Sequence, residues 1–315
     1  MGAKNMKIKV ARSVADLAAA FPCFAATIGN FDGVHKGHRE ILARVIKKKQ
    51  GTPCGSLLIT FDPHPSAVLY PAKNQTMLSR LEKKIALLDE IGLDAVLIME
   101  FTLKLAKMDP RDFVADTLLP LKVRELYVGH DFHFGSGRAG NAEFLAKEGL
   151  RYGFSVHEIE QVNDLGDRVG STRIRQLLEE GKVEESAELL GRFHTITGTV
   201  VAGAGCGRRI GFPTCNLDDT EETVPAPGIY ATITEWQGEK YGSVTHIGSI
   251  PTFGIATLSI ETHIFEFRDD IHGEVLEVAF VKRLRGVEKF GSVEDLVSQI
   301  AKDCLAAKEA LKGLL

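Results

Sequence analysis

Two histidines three residues apart, His35 and His38, close the segment Thr27-Ile28-Gly29-Asn30-Phe31-Asp32-Gly33-Val34-His35-Lys36-Gly37-His38. Upstream, Phe24 to Ile28 is a short apolar run. Downstream, Ile41, Leu42, Val45 and Ile46 recur at helical spacing. The histidines therefore stand where a strand turns into a helix. Gly29, Gly33 and Gly37 let the backbone turn sharply and approach a ligand. A helix start offers free N–H groups and the positive end of the dipole, which suits a phosphate. The bland alternative is an ordinary strand–turn–helix corner with two solvated histidines.

Five further stretches carry chemistry-bearing residues. Asp62-Pro63-His64-Pro65 follows an apolar run, and its prolines stiffen either a site loop or a plain turn. Gly129 to Arg138 mixes Phe132 and Phe134 with glycines, as an aromatic wall for a flat ring or as a locally packed loop. Ser171-Thr172-Arg173 opens a helix, where hydroxyls, backbone N–H groups and a guanidinium converge on a possible phosphate chain, or where a serine merely caps. In Gly203 to Asn216, a glycine-rich loop could wrap phosphates with its amides. Thr214 and Asn216, two apart, would face one side of a strand with oxygens suited to Mg²⁺. A β-turn with polar edges fits the same spacing. In Ile260 to Phe267, alternation sets Glu261 and His263 on the face of Phe265 and Phe267, with Glu266 pointing away. A carboxylate on an apolar face needs a partner or a task. For Glu261 that is either a salt bridge or service as general base to an alcohol.

The elements that must hold these residues change character along the chain. Up to Leu190, strands and helices alternate. The strands are Phe24–Ile28, Ser56–Phe61, Ala95–Met99, Glu125–Gly129 and Phe154–Ile159. Among the helices, Ser79–Ile91 has a capping box of Ser79 and Glu82, one starts at Asp109-Pro110, and Asn141 caps one that stops at Gly153. Ser171–Glu180 and Lys182–Leu190 follow. Alternation argues for a doubly wound α/β domain with a parallel sheet, binding ligands beyond the strands' carboxyl ends. From Arg192 the pattern becomes period-two: Thr195–Val201, Tyr230–Trp236, Tyr241–Ile247, Leu258–Phe267 and Val275–Val281, with hairpin turns at Gln237-Gly238 and Ile271-His272-Gly273. That suggests a small closed antiparallel barrel, followed by a helix from Ser292. The domains expected are 1–190 and 191–315.

Bulk composition excludes several classes. The chain has 315 residues, 44% hydrophobic and 25% charged, as in globular proteins of two domains. A net charge of −4 offers no basic field for nucleic acid. No apolar run is long enough to span a bilayer, and Met1 to Arg12 lacks a signal-peptide core. The five cysteines, Cys23, Cys54, Cys206, Cys215 and Cys304, are odd in number and without a CxxC pair. Reduced thiols in a cytoplasmic protein are expected, rather than disulfides or zinc.

His35-Lys36-Gly37-His38 resembles the HxGH signature of the nucleotidyltransferase superfamily. Together with TFDPHP, VGHDFHFG and STRIR, it resembles the prokaryotic bifunctional riboflavin kinase/FMN adenylyltransferases, or FAD synthetases. The last third resembles their kinase module in GR-x-x-GFPT-x-N, PGIY, HIG-x-x-PTF, ETHIFEF and RLR-x-x-EKF. His133, Gly170, Cys215 and His246 depart from that pattern, His246 standing where asparagine is usual. The resemblance implies ATP at Gly29, Asn30, Phe31, His35, His38, Ser171, Thr172 and Arg173, with His35, His38 and Arg173 catalytic. It implies flavin nucleotide at Asp62, Pro63, His64, Pro65, Asp131 and Phe132, with Asp131 near the reacting phosphates. In the barrel it implies ATP at Gly203, Gly207 and Arg208, Mg²⁺ at Thr214 and Asn216, flavin at Arg285 and Phe290, and Glu261 as the base. The expected ligands are riboflavin, FMN, FAD and ATP, with neither nucleic acid nor membrane, on a monomer or weak homo-oligomer. Two alternatives stay open: a flavin-responsive binding protein with a non-catalytic barrel, and an HxGH adenylyltransferase with another phosphate acceptor.

Overall fold

The computed structural model describes residues 7–73, 75–161, 163–164, 167–203, 206–252 and 255–315. Ala204 and Gly205 of the glycine-rich loop, and Phe253 of the HIG-x-x-PTF segment, lie outside them. The chain forms two compact units. The first comprises residues up to Gln75 together with Arg80–Gly170, and the second Thr76–Ser79 together with Ser171–Leu315.

The first unit is built on six parallel strands: β1 (Lys9–Ala11), β2 (Phe24–Ile28), β3 (Gly55–Asp62), β4 (Ala95–Glu100), β5 (Val123–Gly129) and β6 (Ser155–Ile159). Their order in the sheet is β1-β4-β3-β2-β5-β6. Helices α1 (Val14–Ala20), α2 (Lys36–Lys49), α3 (Leu81–Ile91) and α4 (Ala142–Tyr152) accompany them. Period two divides the strand residues between two cores. Phe24, Ala26, Ile28, Leu57, Ile59, Leu97, Leu126 and Val128 face one; Ala25, Leu58, Val96, Ile98 and Tyr127 face the other. Burial on both faces explains why these strands read as continuous apolar runs. The strand order reverses between β2 and β5, so the loops after them flank a crevice at the carboxyl end of the sheet.

The second unit begins at Ser171, earlier than the pattern change at Arg192. Helices α5 (Ser171–Glu179) and α6 (Val183–Leu190) belong to it, and α6 buries Val183, Leu189 and Leu190. Strands β7 (His194–Val201), β8 (Cys215–Asp218), β9 (Gly228–Trp236), β10 (Glu239–Thr252), β11 (Ile255–Ile264) and β12 (Val275–Arg285) close a barrel in the order β7-β8-β11-β10-β9-β12, every pairing antiparallel. Inside, hydroxyls of Thr232, Thr234, Ser243, Thr245 and Thr262 bond to one another at 2.7–3.0 Å, satisfying polar groups that would be costly to bury alone. Helix α7 (Val293–Ala310) covers part of the outside, Ala307 joining Ala231, Ile233, Val244 and Val281 in a core.

Several expectations are corrected. Cys23 and Cys54 are not reduced thiols but a disulfide. The parallel register sets Phe24 opposite Gly55, so the residues just before them are opposed, with Cα atoms 4.5 Å apart. A sequence separation of 31 conceals that proximity. Helix α3 starts at Leu81 with Arg80 as N-cap, not at Ser79. Ser79 belongs to the stretch 76–79, where Thr223 N–H donates to the Met77 carbonyl at 2.7 Å. Strand β11 stops at Ile264, and Glu266 turns with φ 57°, so Phe265 and Phe267 leave the strand alternation. The turn at 271–273 lies within the longer 265–274 connection rather than forming a tight hairpin. The turn at Gln237-Gly238 does join β9 to β10, both residues having positive φ.

Candidate active sites

In the first unit, the loop from β2 to α2 is held in a conformation that side chains rarely adopt: Phe31 has φ 49° and Val34 φ 41°. Phe31 is buried, and its ring stacks on His38 at 4.5 Å; His38 in turn stacks on His35 at 3.6 Å. His35 is the N-cap of α2, its Nδ1 accepting the His38 backbone N–H at 3.3 Å. Neutral His35 therefore carries its proton on Nε2. Nδ1 of His38 is buried and has no hydrogen-bond partner among the described residues. Burial first, then the charges of His35 and Lys84, hold the His38 pKa well below the usual histidine value. The pair is thus a compact imidazole stack on a helix start, where free backbone N–H groups suit an anion.

The neighbouring loops are placed as follows. Asp62 ends β3 and meets Arg12 at 3.3 Å. His64 caps the short helix Pro65–Leu69, accepting the Ser66 N–H at 3.1 Å, and Pro65 takes the first helical position. Asp131 pairs with Arg168; burial pushes its carboxyl up, but that hydrogen bond and charge hold it below the ordinary range. Phe132 stacks on Phe134 at 5.5 Å and packs against the core, so the aromatic stretch is a packed loop. Ser171, Thr172 and Arg173 open α5 in the second unit, where Ile174, Leu177 and Leu178 bury its other face.

Among the described residues of the barrel, Thr214 stands in the walls of two cavities. The first, about 680 Å³, is lined by Gly203, Arg208, Thr214, Asn216 and the loop Phe267–His272. The second, about 730 Å³, is lined by Gly207, Phe212, Thr214, His246, Glu261, His263, Arg285 and Phe290, with Leu296 and Ile300 of α7. Across β8, β11 and β10, Asn216, Glu261 and His246 are direct cross-strand partners. Cross-strand partners share a face, so the amide, carboxylate and imidazole stand in one row. Burial, with the charge of Arg285, lowers the His246 pKa against the pull of Glu261, which favours the neutral ring. Arg285 forks onto Asp303 at 2.7 and 3.0 Å and lies over the Phe290 ring at 5.7 Å. A Cβ at Gly203 would lie 2.0 Å from Asn216 Nδ2, and one at Gly207 would lie 2.3 Å from the Phe212 carbonyl. At Gly207 the backbone leaves no room for a side chain, and at Gly203 a side chain would displace the Asn216 amide. Burial pushes the Cys215 thiol up to about 11, and it donates to the Thr262 carbonyl, a packed thiol rather than a nucleophile.

Two site neighbours escape a search by motif. His246 stood out in the sequence only as a departure. Lys84 is buried beside the histidine loop, and its signal was a charge on the apolar stripe of α3.

Fold and sites together define a two-module phosphate-handling transferase: a nucleotidyltransferase-type sheet domain and a barrel kinase. Residues 20–173 match the family model for FAD synthetase, and residues 190–311 that for riboflavin kinase. The bifunctional riboflavin kinase/FMN adenylyltransferase of Escherichia coli K12 is 36% identical over 90% of this chain and 91% of its own length. That of Listeria monocytogenes is 35% identical over 88% of both. A crystal structure from Streptococcus pneumoniae, described as a macrolide-efflux protein, superposes with a TM-score of 0.86 at 29% identity, covering 96% of this chain and 99% of that one. In the present chain, no helix among the described residues is long and apolar enough to cross a membrane. The chain belongs to the bifunctional riboflavin kinase/FMN adenylyltransferase family.

Proposed function

We propose that the barrel phosphorylates riboflavin to FMN, and that the nucleotidyltransferase module adenylylates FMN to FAD, each with ATP. The observation that carries the kinase half is the row Asn216–Glu261–His246 running between two cavities that share Thr214. ATP enters the cavity of Gly203 and Arg208, and riboflavin the one under α7. The isoalloxazine ring meets the apolar wall of Phe212, Leu296 and Ile300, with Arg285 and Phe290 at one edge. Glu261 takes the proton of the ribityl hydroxyl as its oxygen attacks the γ-phosphorus, and ADP departs. Loop amides and Arg208 balance the charge that grows on the phosphates.

Thr214 and Asn216 fit Mg²⁺: hard, neutral oxygen donors on the wall of the nucleotide cavity, with room for Asn216 kept open by Gly203. Bound there with ATP phosphates and water, the ion supplies charge neutralisation during transfer.

In the other module, an FMN phosphate oxygen attacks the α-phosphorus of ATP and expels pyrophosphate. The nucleophile is already an anion, so the demand is for alignment and charge stabilisation rather than for a base. His35 donates from Nε2, and His38 and the amides of α2 add donors at the same helix start. Ser171, Thr172 and Arg173 are assigned to ATP phosphates by the family motif they match. Asp62 to Pro65, Asp131 and Phe132 are assigned to the flavin nucleotide.

Riboflavin with Mg-ATP, followed by chromatography, tests both halves. FMN and then FAD are expected. With neither formed, a flavin-binding protein without catalysis takes this proposal's place. If FMN fails as acceptor while another phosphate compound is adenylylated, the acceptor assignment falls.

A further inference from the structure

Lys84 takes no part in the steps above. It sits on the apolar stripe of α3, between Leu81 and Leu88, and is only 6% exposed. Lysine is rarely buried without a partner, because stripping water from an ammonium is costly. Its partner here is a backbone carbonyl: Nζ donates to Asn30 at 2.9 Å, and the Thr60 hydroxyl donates to the same oxygen at 3.2 Å. The ammonium also faces the carboxylates of Asp32 and Asp62, the latter itself paired with Arg12. A lysine serving the core alone has no reason to lie beneath the loops that follow β2 and β3.

The carbonyl it holds is the one before Phe31. Phe31 and Val34 stay in the left-handed region only if their surroundings over-determine the loop. Lys84 and Thr60 supply that restraint from below, and the Phe31 ring transmits it to His38 and His35. We infer that Lys84 is a positioning residue for adenylyl transfer: its ammonium pins the Asn30 carbonyl and so sets the Phe31–His38–His35 stack for the ATP phosphates. This rests on the adenylyltransferase chemistry proposed for that loop. The same charge, with burial and His35, keeps His38 unprotonated. Burial lowers the pKa of Lys84 itself, against the opposing pull of Asp32 and Asp62.

The test compares full-length Lys84→Met, which removes donor and charge, with Lys84→Gln, which keeps a donor without the charge. FMN adenylylation and riboflavin phosphorylation are followed on each preparation, with pH profiles. Lys84→Met is expected to lower adenylylation kcat/KM by about 100-fold, mainly through kcat, as a displaced reacting group does. Lys84→Gln is expected to lose less. In both, the acid limb of the adenylylation profile moves to higher pH, because His38 takes a proton more readily once the neighbouring cation is gone. Riboflavin phosphorylation stays at the wild-type rate. Adenylylation within about twofold of wild type in Lys84→Met overturns the inference. Should Lys84→Met fail to fold, Lys84→Gln decides: an unmoved acid limb and wild-type kcat/KM overturn it equally. Wild-type protein that makes no FAD from FMN overturns the adenylyltransferase assignment itself, whatever Lys84 does.

Discussion

His38 sits between two rings, with one buried nitrogen lacking a hydrogen-bond partner among the described residues. Replacing it by alanine removes a preorganised donor and unstacks both neighbours, so FMN adenylylation should fall by about two to three orders of magnitude. Riboflavin phosphorylation should be unchanged, and a coupled chromatographic assay would report FMN accumulating without FAD. In the barrel, Gly203→Ala places a methyl 2.0 Å from the Asn216 amide and must displace it. The expected result is a loss of kinase rate with a raised Mg²⁺ requirement, read from a Mg²⁺ titration, while adenylylation is spared. The residues that bear such predictions were legible in the sequence where a side chain's type announced its chemistry, as with His35, His38 and Glu261. Lys84 and the row completed by His246 were not. Their importance lies in burial and cross-strand register, which depend on residues distant in sequence.

At the scale of elements, alternation and turn chemistry identified the sheet strands from β2 onward, the barrel strands of the hairpins and the final helix. What they missed was fixed by tertiary pairing. Strand β1 spans three residues and is recognisable only by its ladder with β4. Strand β8 is four residues that start at the end of the glycine-rich loop, where the sequence marks a strand only by the Thr214–Asn216 spacing. Ser79 does not cap α3, whose N-cap is Arg80 with no side-chain hydrogen bond. The Cys23–Cys54 bond, a consequence of the β2–β3 register, closes a loop whose entropic cost removed from the unfolded chain is about 4 kcal/mol. Reduction, or Cys23→Ser, should lower the thermal midpoint of the first unit and leave that of the barrel in place, as differential scanning calorimetry would register. In the barrel, His194 at the start of β7 is fully buried, its Nε2 donating to the Thr223 carbonyl at 2.7 Å. Burial lowers its pKa from 6.5 to about 4, against that hydrogen bond. The unfolded chain therefore binds the proton more readily. Stability is complete above pH 6.5 and is lost as the pH falls through about 4, by about 3 kcal/mol in all. Urea unfolding of the barrel at pH 7 and pH 4.5 should show that difference, and His194→Gln should flatten it.

For the whole molecule, the two chemistries meet only through FMN, the product of one and the acceptor of the other. Glu261, Thr214, Asn216 and both barrel cavities belong to the second unit, whereas His35 and His38 belong to the first. Each variant should therefore block one step cleanly. Glu261→Gln keeps the shape of the row but removes the proton acceptor, and should slow riboflavin phosphorylation by about 10²- to 10⁴-fold. It should still convert supplied FMN to FAD at the wild-type rate. His38→Ala should do the reverse. An equimolar mixture of the two, given riboflavin and Mg-ATP, then provides the decisive measurement. FMN made on one chain must leave the barrel and be adenylylated on another. Since Glu261 and His38 serve different steps, FAD should accumulate in the mixture after a lag set by the build-up of free FMN. Added apoflavodoxin-type FMN traps should abolish it. If FAD appeared only with wild-type chains and never in the mixture, FMN would have to pass within a single chain, and the two steps would be coupled by more than their shared intermediate.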